Sequence, residues 1–278
     1  MAATRPLRAV VDSLAAVLVP SDCRICSQPL TRLSQIPVCD QCLNSLNRTE
    51  IDSCSICGEA LEFQPTELIA TCGMCRRLAP RFDFALSFAG YDGSLRQLVH
   101  LLKYEQLRSA AQVLGSKLAC AIEESRFEGD RPVLVVPVPL HRAKLRQRGF
   151  NQSELIARSA LKHLSLSRFE AHSGNLRRVR ATDSQTGLTR HQRRENVRGA
   201  FTVTAPERMK DRSVLIVDDV YTTGTTLNEC ARVIRAAGAA QIVVATVARV
   251  YRPVAKLVLG EALNQEGNAS ALAGAAAG

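Results

Sequence analysis

Residues 214–226 read Val-Leu-Ile-Val-Asp-Asp-Val-Tyr-Thr-Thr-Gly-Thr-Thr. The four apolar residues that open this stretch are typical of a buried strand in a parallel sheet. Two carboxylates follow, then a threonine-rich loop around Gly224, and a helical pattern begins near Leu227. Because backbone N–H groups converge at the start of a helix, this order of elements predicts a cradle for a phosphate group. The stretch therefore predicts an α/β fold with an anion site at a strand end.

The predicted site contains two kinds of side chain, acidic residues and hydrogen-bond donors. Asp218 and Asp219 end the strand, where carboxylates are placed to bind vicinal hydroxyl groups or Mg²⁺. The loop offers hydroxyl and N–H donors to phosphate oxygens from Thr222, Thr223, Gly224, Thr225 and Thr226. A Walker-type nucleotide loop also uses glycine and threonine, but this loop contains no lysine and its acids come first. The expected ligand is a sugar phosphate.

The same thirteen residues resemble the phosphoribosyl pyrophosphate (PRPP) loop of the type I phosphoribosyltransferases. That loop has an apolar strand, two adjacent acids, two small or apolar positions and then Thr/Ser-Gly-x-Thr/Ser. Tyr221 departs from the aliphatic residue usual at its position, so the loop mouth is expected to differ in shape. The resemblance implies a parallel sheet flanked by helices. It also implies that Asp218 and Asp219 are the catalytic pair at the ribose hydroxyls and that the loop binds the 5′-phosphate.

The composition of the chain indicates which binding partners and which cellular compartment to expect. The chain has 278 residues, of which 46% are hydrophobic, and a formal net charge of +10. This excess of positive charge favours anionic partners, either phosphorylated small molecules or nucleic acid. No apolar run is long enough for a membrane helix. Asp12 interrupts the short apolar stretch near the start, so residues 1–19 are expected to form an amphipathic helix in a cytoplasmic protein, with secretion as the alternative.

Eight of the ten cysteines occur in four C-x-x-C pairs, Cys23 with Cys26, Cys39 with Cys42, Cys54 with Cys57, and Cys72 with Cys75. Two such pairs supply the thiolates of a closed tetrahedral zinc site. Because residues 27–38 and 58–71 are each long enough for one hairpin, consecutive pairs are expected to share a metal. A thioredoxin-like redox motif needs one pair in a βαβ unit, which is not the pattern here. Residues 20–80 are thus predicted to form a double zinc ribbon with two structural zinc ions.

Residues 81–259 are predicted to form the phosphoribosyltransferase-like domain. Besides the strand at residue 214, strands are expected at 82–88, 133–139, 199–203 and 242–248. Helices are expected from near residue 95 to 104, over 109–125, from 153 and after 227. Cys120 and Cys230 lie in these helical patterns and are expected to be small buried apolar residues. Residues 260–278 are rich in Ala, Gly and Ser and are predicted to be a disordered tail.

Basic residues cluster in three places in this domain. Lys103 ends a helical pattern and is expected either to contact phosphate or to extend toward water. An extended arginine-rich segment follows Pro139, and residues 176–198 carry seven more arginines. Type I phosphoribosyltransferases bind pyrophosphate with a loop after the first core strand and close a mobile loop over PRPP. The resemblance therefore implies pyrophosphate or loop contacts from Lys103, Arg142, Arg146, Arg148, Arg190 and Arg194. A solvated basic face and a nucleic-acid surface are the alternatives.

Several motifs together resemble the ComF, or GntX, family. They are the four cysteine pairs, Leu102-Lys103-Tyr104, Val136-Pro137-Val138-Pro139, residues 146–152, Gln185-Thr186-Gly187-Leu188, Arg194-Glu195-Asn196-Val197 and the PRPP loop. The resemblance covers residues 20–250 of this chain. It implies a zinc-ribbon module before a phosphoribosyltransferase-like domain, and a role in DNA uptake during transformation or in the use of DNA as a nutrient.

Two classes of function are consistent with these features. The first is an enzyme that binds PRPP and Mg²⁺ and transfers the ribosyl phosphate to a nucleophile with loss of pyrophosphate; nucleobase salvage is one form of it. The second is a non-enzymatic adaptor that binds single-stranded DNA and proteins of the uptake machinery. Because only 4% of residues are aromatic, phosphate contacts rather than base stacking would dominate DNA binding. The acceptor of an enzymatic transfer is not indicated by any motif.

Overall fold

The computed structural model describes residues 21–31, 34–61, 70–125, 127–182 and 189–252. The predicted N-terminal helix over residues 1–19 and the predicted tail over 260–278 lie outside these ranges. The Gln185-Thr186-Gly187-Leu188 motif also lies outside them. Within the described ranges, no helix combines the length and the apolar character that crossing a membrane requires.

The described residues form a five-stranded parallel sheet and a separate antiparallel pair of strands. In chain order the strands are β1 (Phe84–Gly90), β2 (Val133–Pro137), β3 (Phe169–Ala171), β4 (Leu176–Arg178), β5 (Phe201–Val203), β6 (Ser213–Tyr221) and β7 (Gln241–Arg249). The order in the sheet is β1-β7-β6-β2-β3, and every neighbouring pair is parallel. Strand β6 therefore lies at the centre of the sheet, and β4 pairs with β5.

Eight α-helices accompany these strands in the described ranges. They are α1 (Asp40–Asn44), α2 (Gly73–Arg77), α3 (Gly93–Tyr104), α4 (Ala110–Glu123), α5 (Arg142–Arg148), α6 (Gln152–Ala160), α7 (Arg190–Val197) and α8 (Thr225–Ala236). A short 3₁₀ turn spans Pro206–Arg208. The parallel sheet with flanking helices is the fold class that the sequence predicts.

The side chains of the central strands alternate between two hydrophobic cores, as the two faces of a sheet require. Leu215 and Val217 pack with helices α3, α4 and α6 in the first core. Val214 and Ile216 pack with α8 and the β4–β5 pair in the second. Because both faces are covered, β6 is an uninterrupted apolar run up to its two acids, as a parallel strand buried on both sides should be.

The two four-cysteine segments pack on opposite faces of the sheet. Cys23 and Cys42 belong to the first core, whereas all four cysteines of the second segment belong to the other. The second segment contacts the outer edge of β1, where the Ala85 N–H donates to the Ile56 carbonyl over 2.7 Å. This contact covers part of an edge strand that would otherwise offer unpaired backbone groups. The domain boundary after residue 80 stays a prediction.

Two sequence-based expectations are wrong. Cys120 is exposed rather than buried, because it lies on the outer face of α4 while Ala119, Ala121 and Ile122 face the core. Cys230 is buried, as expected. The basic segment after β2 is not extended but forms helix α5, which His141 caps by accepting a hydrogen bond from the Ala143 N–H. Arginine, lysine, leucine and glutamine are good helix formers, so local propensity explains this difference.

Candidate functional site

The acid pair at the end of β6 is held by two helices of the first core. Asp218 Oδ1 accepts hydrogen bonds from the Ser153 hydroxyl over 2.7 Å and from the Asp219 N–H over 2.9 Å. Ser153 lies at the start of α6, and Lys103 comes from the last turn of α3. The Lys103 Nζ lies 2.8 Å from Asp219 Oδ1. Both carboxylates are therefore fixed before any ligand binds.

The surroundings shift the pKa values of this group of charges. Burial, followed by the charge of Asp219, raises the pKa of Asp218 to about 7, against the lowering effect of the Ser153 hydrogen bond and Lys103. Burial disfavours the charged ammonium of Lys103, but the Asp219 carboxylate outweighs it and raises the pKa of Lys103. The site therefore keeps a charged lysine, and Asp218 can gain or lose a proton near neutral pH.

The acids and the threonine loop line one small cavity of about 190 Å³, which we call the acidic cavity. Its lining comprises Lys103, Asp218, Asp219, Val220, Thr222, Gly224, Thr225, Thr226 and Leu227. Four of the five predicted phosphate-binding residues thus face the same space as both predicted catalytic acids. Thr223 lines a neighbouring cavity instead, although its hydroxyl lies 2.8 Å from that of Thr225.

The shape of the loop depends on Gly224 and Tyr221. Gly224 has a φ of +72° and immediately precedes α8. A Cβ atom at this position would lie 2.2 Å from the Tyr221 hydroxyl, so no other residue fits without movement. The unusual aromatic residue of the loop is thus packed against its glycine. The Tyr221 ring in turn lies edge-on to Phe82, with 6.4 Å between ring centroids.

Three cations, Lys103, Lys144 and Arg178, lie close enough to the acid pair for their charges to interact with it. Arg148 interacts in turn with Lys144. Lys144 is exposed overall, but partial desolvation of its ammonium group lowers its pKa. The charges of Arg148, Arg178 and Lys103 lower this pKa further, while Asp219 opposes them. Burial also lowers the pKa of Arg178, and Asp218 opposes this effect. Arg178 extends from β4 and stacks 5.4 Å from the Phe201 ring centroid. This excess of positive charge favours an anionic group near the acidic cavity.

The predicted pyrophosphate contacts are spread over more than one location. Arg142 lines a cavity of about 650 Å³ between α5 and β4, and Arg148 donates to the Gln152 side chain over 2.6 Å. Arg146 is exposed on α5. Arg194 lies on the other side of the threonine loop from the acid pair, and Arg190 begins α7 but its side chain is outside the described part. The pyrophosphate roles of these residues stay predictions.

Two groups of four cysteines have the geometry of metal sites. Cys23, Cys26, Cys39 and Cys42 form one group and Cys54, Cys57, Cys72 and Cys75 the other, with all sulfur atoms of a group within 4.8 Å of one another. Four thiolates about 2.3 Å from one zinc ion would lie about 3.8 Å apart. In the structure the sulfur atoms lie 3.9 Å apart for Cys23 and Cys42, 3.6 Å for Cys26 and Cys39, and 3.7 Å for Cys57 and Cys72. The consecutive grouping expected from the spacing is found, and both groups fit zinc.

A buried arginine connects the second cysteine group to the threonine loop. Arg249, at the end of β7, is 3% exposed and donates to the carbonyl of Cys57 and to the Glu59 carboxylate, the latter over 3.0 Å. Its guanidinium carbon lies 4.1 Å from the Tyr221 ring centroid. Sequence reasoning missed this contact because Arg249 and Glu59 are far apart in the chain. It also missed the Ser153 hydrogen bond, which only the packing of α6 on β6 reveals.

Comparisons with known proteins indicate the family of this chain. The phosphoribosyl transferase domain family matches residues 154–258. DNA utilization protein YhgH of Escherichia coli O157:H7 is 31% identical over 226 residues, which are 81% of this chain and 95% of that protein. Competence protein F of Haemophilus influenzae is 29% identical over 70% of this chain and 84% of its own length.

Among solved structures, the allosteric regulatory enzyme of purine biosynthesis matches 50% of this chain and 26% of its own, with 22% identity and a TM-score of 0.31. The YhgH protein is matched over nearly its whole length. Together with the phosphoribosyl transferase match over the loop and acid pair, this shows that the chain belongs to the ComF family.

Proposed function

We propose that this protein binds PRPP with Mg²⁺ and transfers the ribosyl phosphate to a nucleophile, releasing pyrophosphate. The observation that carries the proposal is the acidic cavity, where a carboxylate pair and a threonine loop face one space beside a cluster of cations. Vicinal hydroxyls suit the carboxylates, phosphate suits the loop, and pyrophosphate suits the cations. PRPP carries all three groups on one ribose.

The chain's own residues would act mainly by positioning and by charge. The loop N–H groups and hydroxyls of Thr222 to Thr226 would hold the 5′-phosphate, and Asp218 and Asp219 would hold the ribose hydroxyls and stabilise positive charge as the bond to pyrophosphate breaks. Lys103 and the cations of α5 would neutralise the departing pyrophosphate. These groups are in place before binding, which lowers the cost of reorganisation during reaction.

The acid pair also suits a magnesium ion that arrives with the substrate. Asp219 Oδ2 is buried and accepts no hydrogen bond within the described ranges. A carboxylate oxygen left without a donor is a favourable ligand for a hard cation or for one of its bound waters. Magnesium would supply charge neutralisation for the pyrophosphate, while the protein supplies the acids that face it.

The cellular role that fits is DNA uptake or DNA utilisation, since the names of the matched relatives refer to these processes. Two sets of reduced thiolates arranged for zinc favour a cytoplasmic location, where thiols stay reduced. The zinc-bearing segments would then be structural supports or surfaces for DNA and uptake proteins. A non-enzymatic adaptor would use the same cradle for a phosphate without any transfer.

Pyrophosphate release tests the enzymatic proposal. Purified protein is incubated with PRPP and Mg²⁺ and a panel of nucleobases and amines, and pyrophosphate and ribosylated products are measured by mass spectrometry. We expect release with at least one acceptor, and its loss in Asp218→Asn/Asp219→Asn but not in Asp211→Asn. Asp211 is exposed at the opposite end of β6, so it controls for the substitution itself. PRPP binding without any release would leave the adaptor as the function.

A further inference from the structure

The two cysteine groups differ in how far they are shielded from water. All four cysteines of the second group, Cys54, Cys57, Cys72 and Cys75, are buried, whereas Cys26 of the first group is exposed. Four thiolates around one zinc ion carry a net charge of about −2, and charge removed from water is costly unless a group of opposite charge lies beside it. The second group therefore needs a cation from the protein, whereas water can solvate part of the first group.

Arg249 supplies that cation. Its side chain is 3% exposed, and its Nη2 atom lies 3.7 Å from the Cys57 sulfur. The same guanidinium group donates to the Cys57 carbonyl and, over 3.0 Å, to the Glu59 carboxylate. Glu59 is shared, because the Arg252 N–H also donates to it over 3.1 Å and the Arg252 Nε lies 3.6 Å away. The two arginines thus face one carboxylate and the thiolates, so the positive charge that Glu59 does not balance is available to the thiolates.

The sheet places Arg249 beside the residue that precedes the threonine loop. Arg249 and Tyr221 are register partners at the ends of the parallel strands β7 and β6, so their side chains lie on the same face. The guanidinium carbon lies 4.1 Å from the Tyr221 ring centroid, which is a cation–π distance. The Val250 N–H donates to the Tyr221 carbonyl over 2.9 Å and fixes the backbone there. One buried side chain therefore contacts both a cysteine of the second group and Tyr221.

Tyr221 supports the threonine loop from the side opposite the acid pair. It is 6% exposed, and its hydroxyl fills the space that a side chain at Gly224 would need. Because backbone N–H groups form much of the proposed phosphate cradle, a shift of Tyr221 would move those donors. Arg249 is not part of the lining of the acidic cavity. It therefore acts on a ligand there through Tyr221 and the loop rather than by contact.

We propose that Arg249 is a positioning residue that couples zinc binding at the second cysteine group to the order of the threonine loop. With zinc on its thiolates, this group fixes Cys57, and Cys57 fixes the guanidinium group. The guanidinium group in turn holds Tyr221 against Gly224. Coupling between two sites acts in both directions, so a ligand on the loop also slows loss of the second zinc ion. The inference rests on the zinc and phosphate sites of the proposed function, but it does not require ribosyl transfer.

Zinc release tests the contact between Arg249 and Cys57. Glu59→Gln/Arg249→Met removes the guanidinium group without leaving its carboxylate partner charged, and Glu59→Gln alone is the matched control. A zinc-selective chelator is added to each zinc-loaded protein, and alkylation of the released cysteines is mapped by mass spectrometry. We expect zinc loss from the second group to be about tenfold faster in the double variant than in the control, and zinc loss from the first group to stay within about twofold.

A lysine variant separates charge from packing. Glu59→Gln/Arg249→Lys keeps a positive charge beside Cys57, so its zinc release should stay within about threefold of the control, which a role in packing alone does not predict. Equal release rates in the methionine variant and the control would overturn the proposal. Equal release rates in the lysine and methionine variants would also overturn it, because the charge would then have no part in the coupling.

Hydrogen exchange tests the effect on the loop without any ligand. In a peptide that covers residues 218–228, we expect exchange to be about tenfold faster in Glu59→Gln/Arg249→Met than in Glu59→Gln. Cys75→Ser, in the second group, should give a similar rise, whereas Cys26→Ser, in the first group, should not. Unchanged loop exchange in the double variant would overturn the proposal. A rise of equal size in a peptide from α4 would also overturn it, since that would show general destabilisation.

Ligand binding separates this inference from the proposed enzyme. PRPP with Mg²⁺ should slow zinc loss from the second group about threefold and leave zinc loss from the first group unchanged. Bound PRPP that changes neither rate would overturn the coupling and leave the PRPP site intact. Faster zinc release and faster loop exchange in the double variant, in a protein that fails to bind PRPP, would support the coupling and reject the enzyme.

Discussion

The Nζ atom of Lys103 lies 2.8 Å from Oδ1 of Asp219, and their side chains are 18% and 6% exposed. This ion pair joins the end of α3 to the end of β6, two segments that are distant in sequence. A buried ion pair contributes little net stability, but removal of one partner leaves an uncompensated charge. The pair therefore fixes the position of Asp219, and Lys103 neutralises its charge.

Substitution of Lys103 should destabilise the fold. We expect Lys103→Met to lower the free energy of unfolding by about 3 kcal/mol, because Asp219 would remain charged and buried. Lys103→Met/Asp219→Asn should recover most of that loss. Denaturant unfolding of the wild type, the single variant and the double variant gives these free energies. Lys162→Met, at an exposed lysine, is the control. A loss equal to that of the control would show that water, rather than Lys103, neutralises Asp219.

Substitution of Gly224 by alanine should destabilise the threonine loop more than backbone strain alone predicts. Gly224 and Gly129 both have positive φ, but an added Cβ meets Tyr221 at the first position and nothing within 4 Å at the second. Gly129→Ala therefore measures the strain, about 1 kcal/mol, and Gly224→Ala should cost at least about 1 kcal/mol more. Unfolding measurements give both values. Equal losses would mean that Tyr221 moves away without cost.

Metal analysis should find about two zinc ions per chain, one for each cysteine group. Cys26→Ser and Cys75→Ser should each reduce the content to about one, since a structural site needs all four thiolates. Cys120→Ser, at an exposed cysteine outside both groups, should retain two. Elemental analysis of the purified proteins measures the zinc content per chain. A wild type with one zinc ion or none contradicts the two-site assignment.

The pH dependence of stability should show the raised pKa of Asp218. The folded chain holds this proton up to about pH 7, whereas the ordinary carboxyl value is 3.8. Between the two values the folded state binds the proton and the unfolded state does not, so the free energy of unfolding falls as pH rises. From about pH 6 to about pH 8 this fall should be about 1.4 kcal/mol.

The pH dependence of the free energy of unfolding is compared between the wild type and Asp218→Asn, by denaturant unfolding without Mg²⁺. Asparagine has no proton to lose, so the free energy of unfolding of the variant should not show this decrease. The stability of the variant relative to the wild type should therefore increase as pH rises. Parallel pH profiles for the two proteins would mean that Asp218 is already ionised in the folded chain at pH values well below neutral.

Local signals made much of the fold predictable. The apolar run of β6, its acids and the Thr-Gly loop follow one another directly, so the strand, the turn and the start of α8 could be inferred from neighbours in sequence. The cysteine spacing likewise indicated the two groups that the structure contains. Phosphate and ligand roles for these residues stay predictions until they are measured.

Contacts between distant segments were not predictable from such signals. The Lys103–Asp219 pair, the Ser153 hydrogen bond and the Arg249 contact with Tyr221 all depend on how helices and strands pack. The position of Arg194 on the far side of the threonine loop from the acid pair depends on how α7 packs near α8. Charge patterns alone could not separate arginines near the acid pair from arginines on the far side of the loop.

Calorimetric titration of PRPP with Mg²⁺ into the wild-type protein tests the central claim most directly. The account predicts saturable binding at one site per chain, its loss in Asp218→Asn/Asp219→Asn, and its retention in Asp211→Asn. No heat of binding to the wild type, or undiminished binding to the double variant, would contradict the assignment of the acidic cavity as a PRPP site.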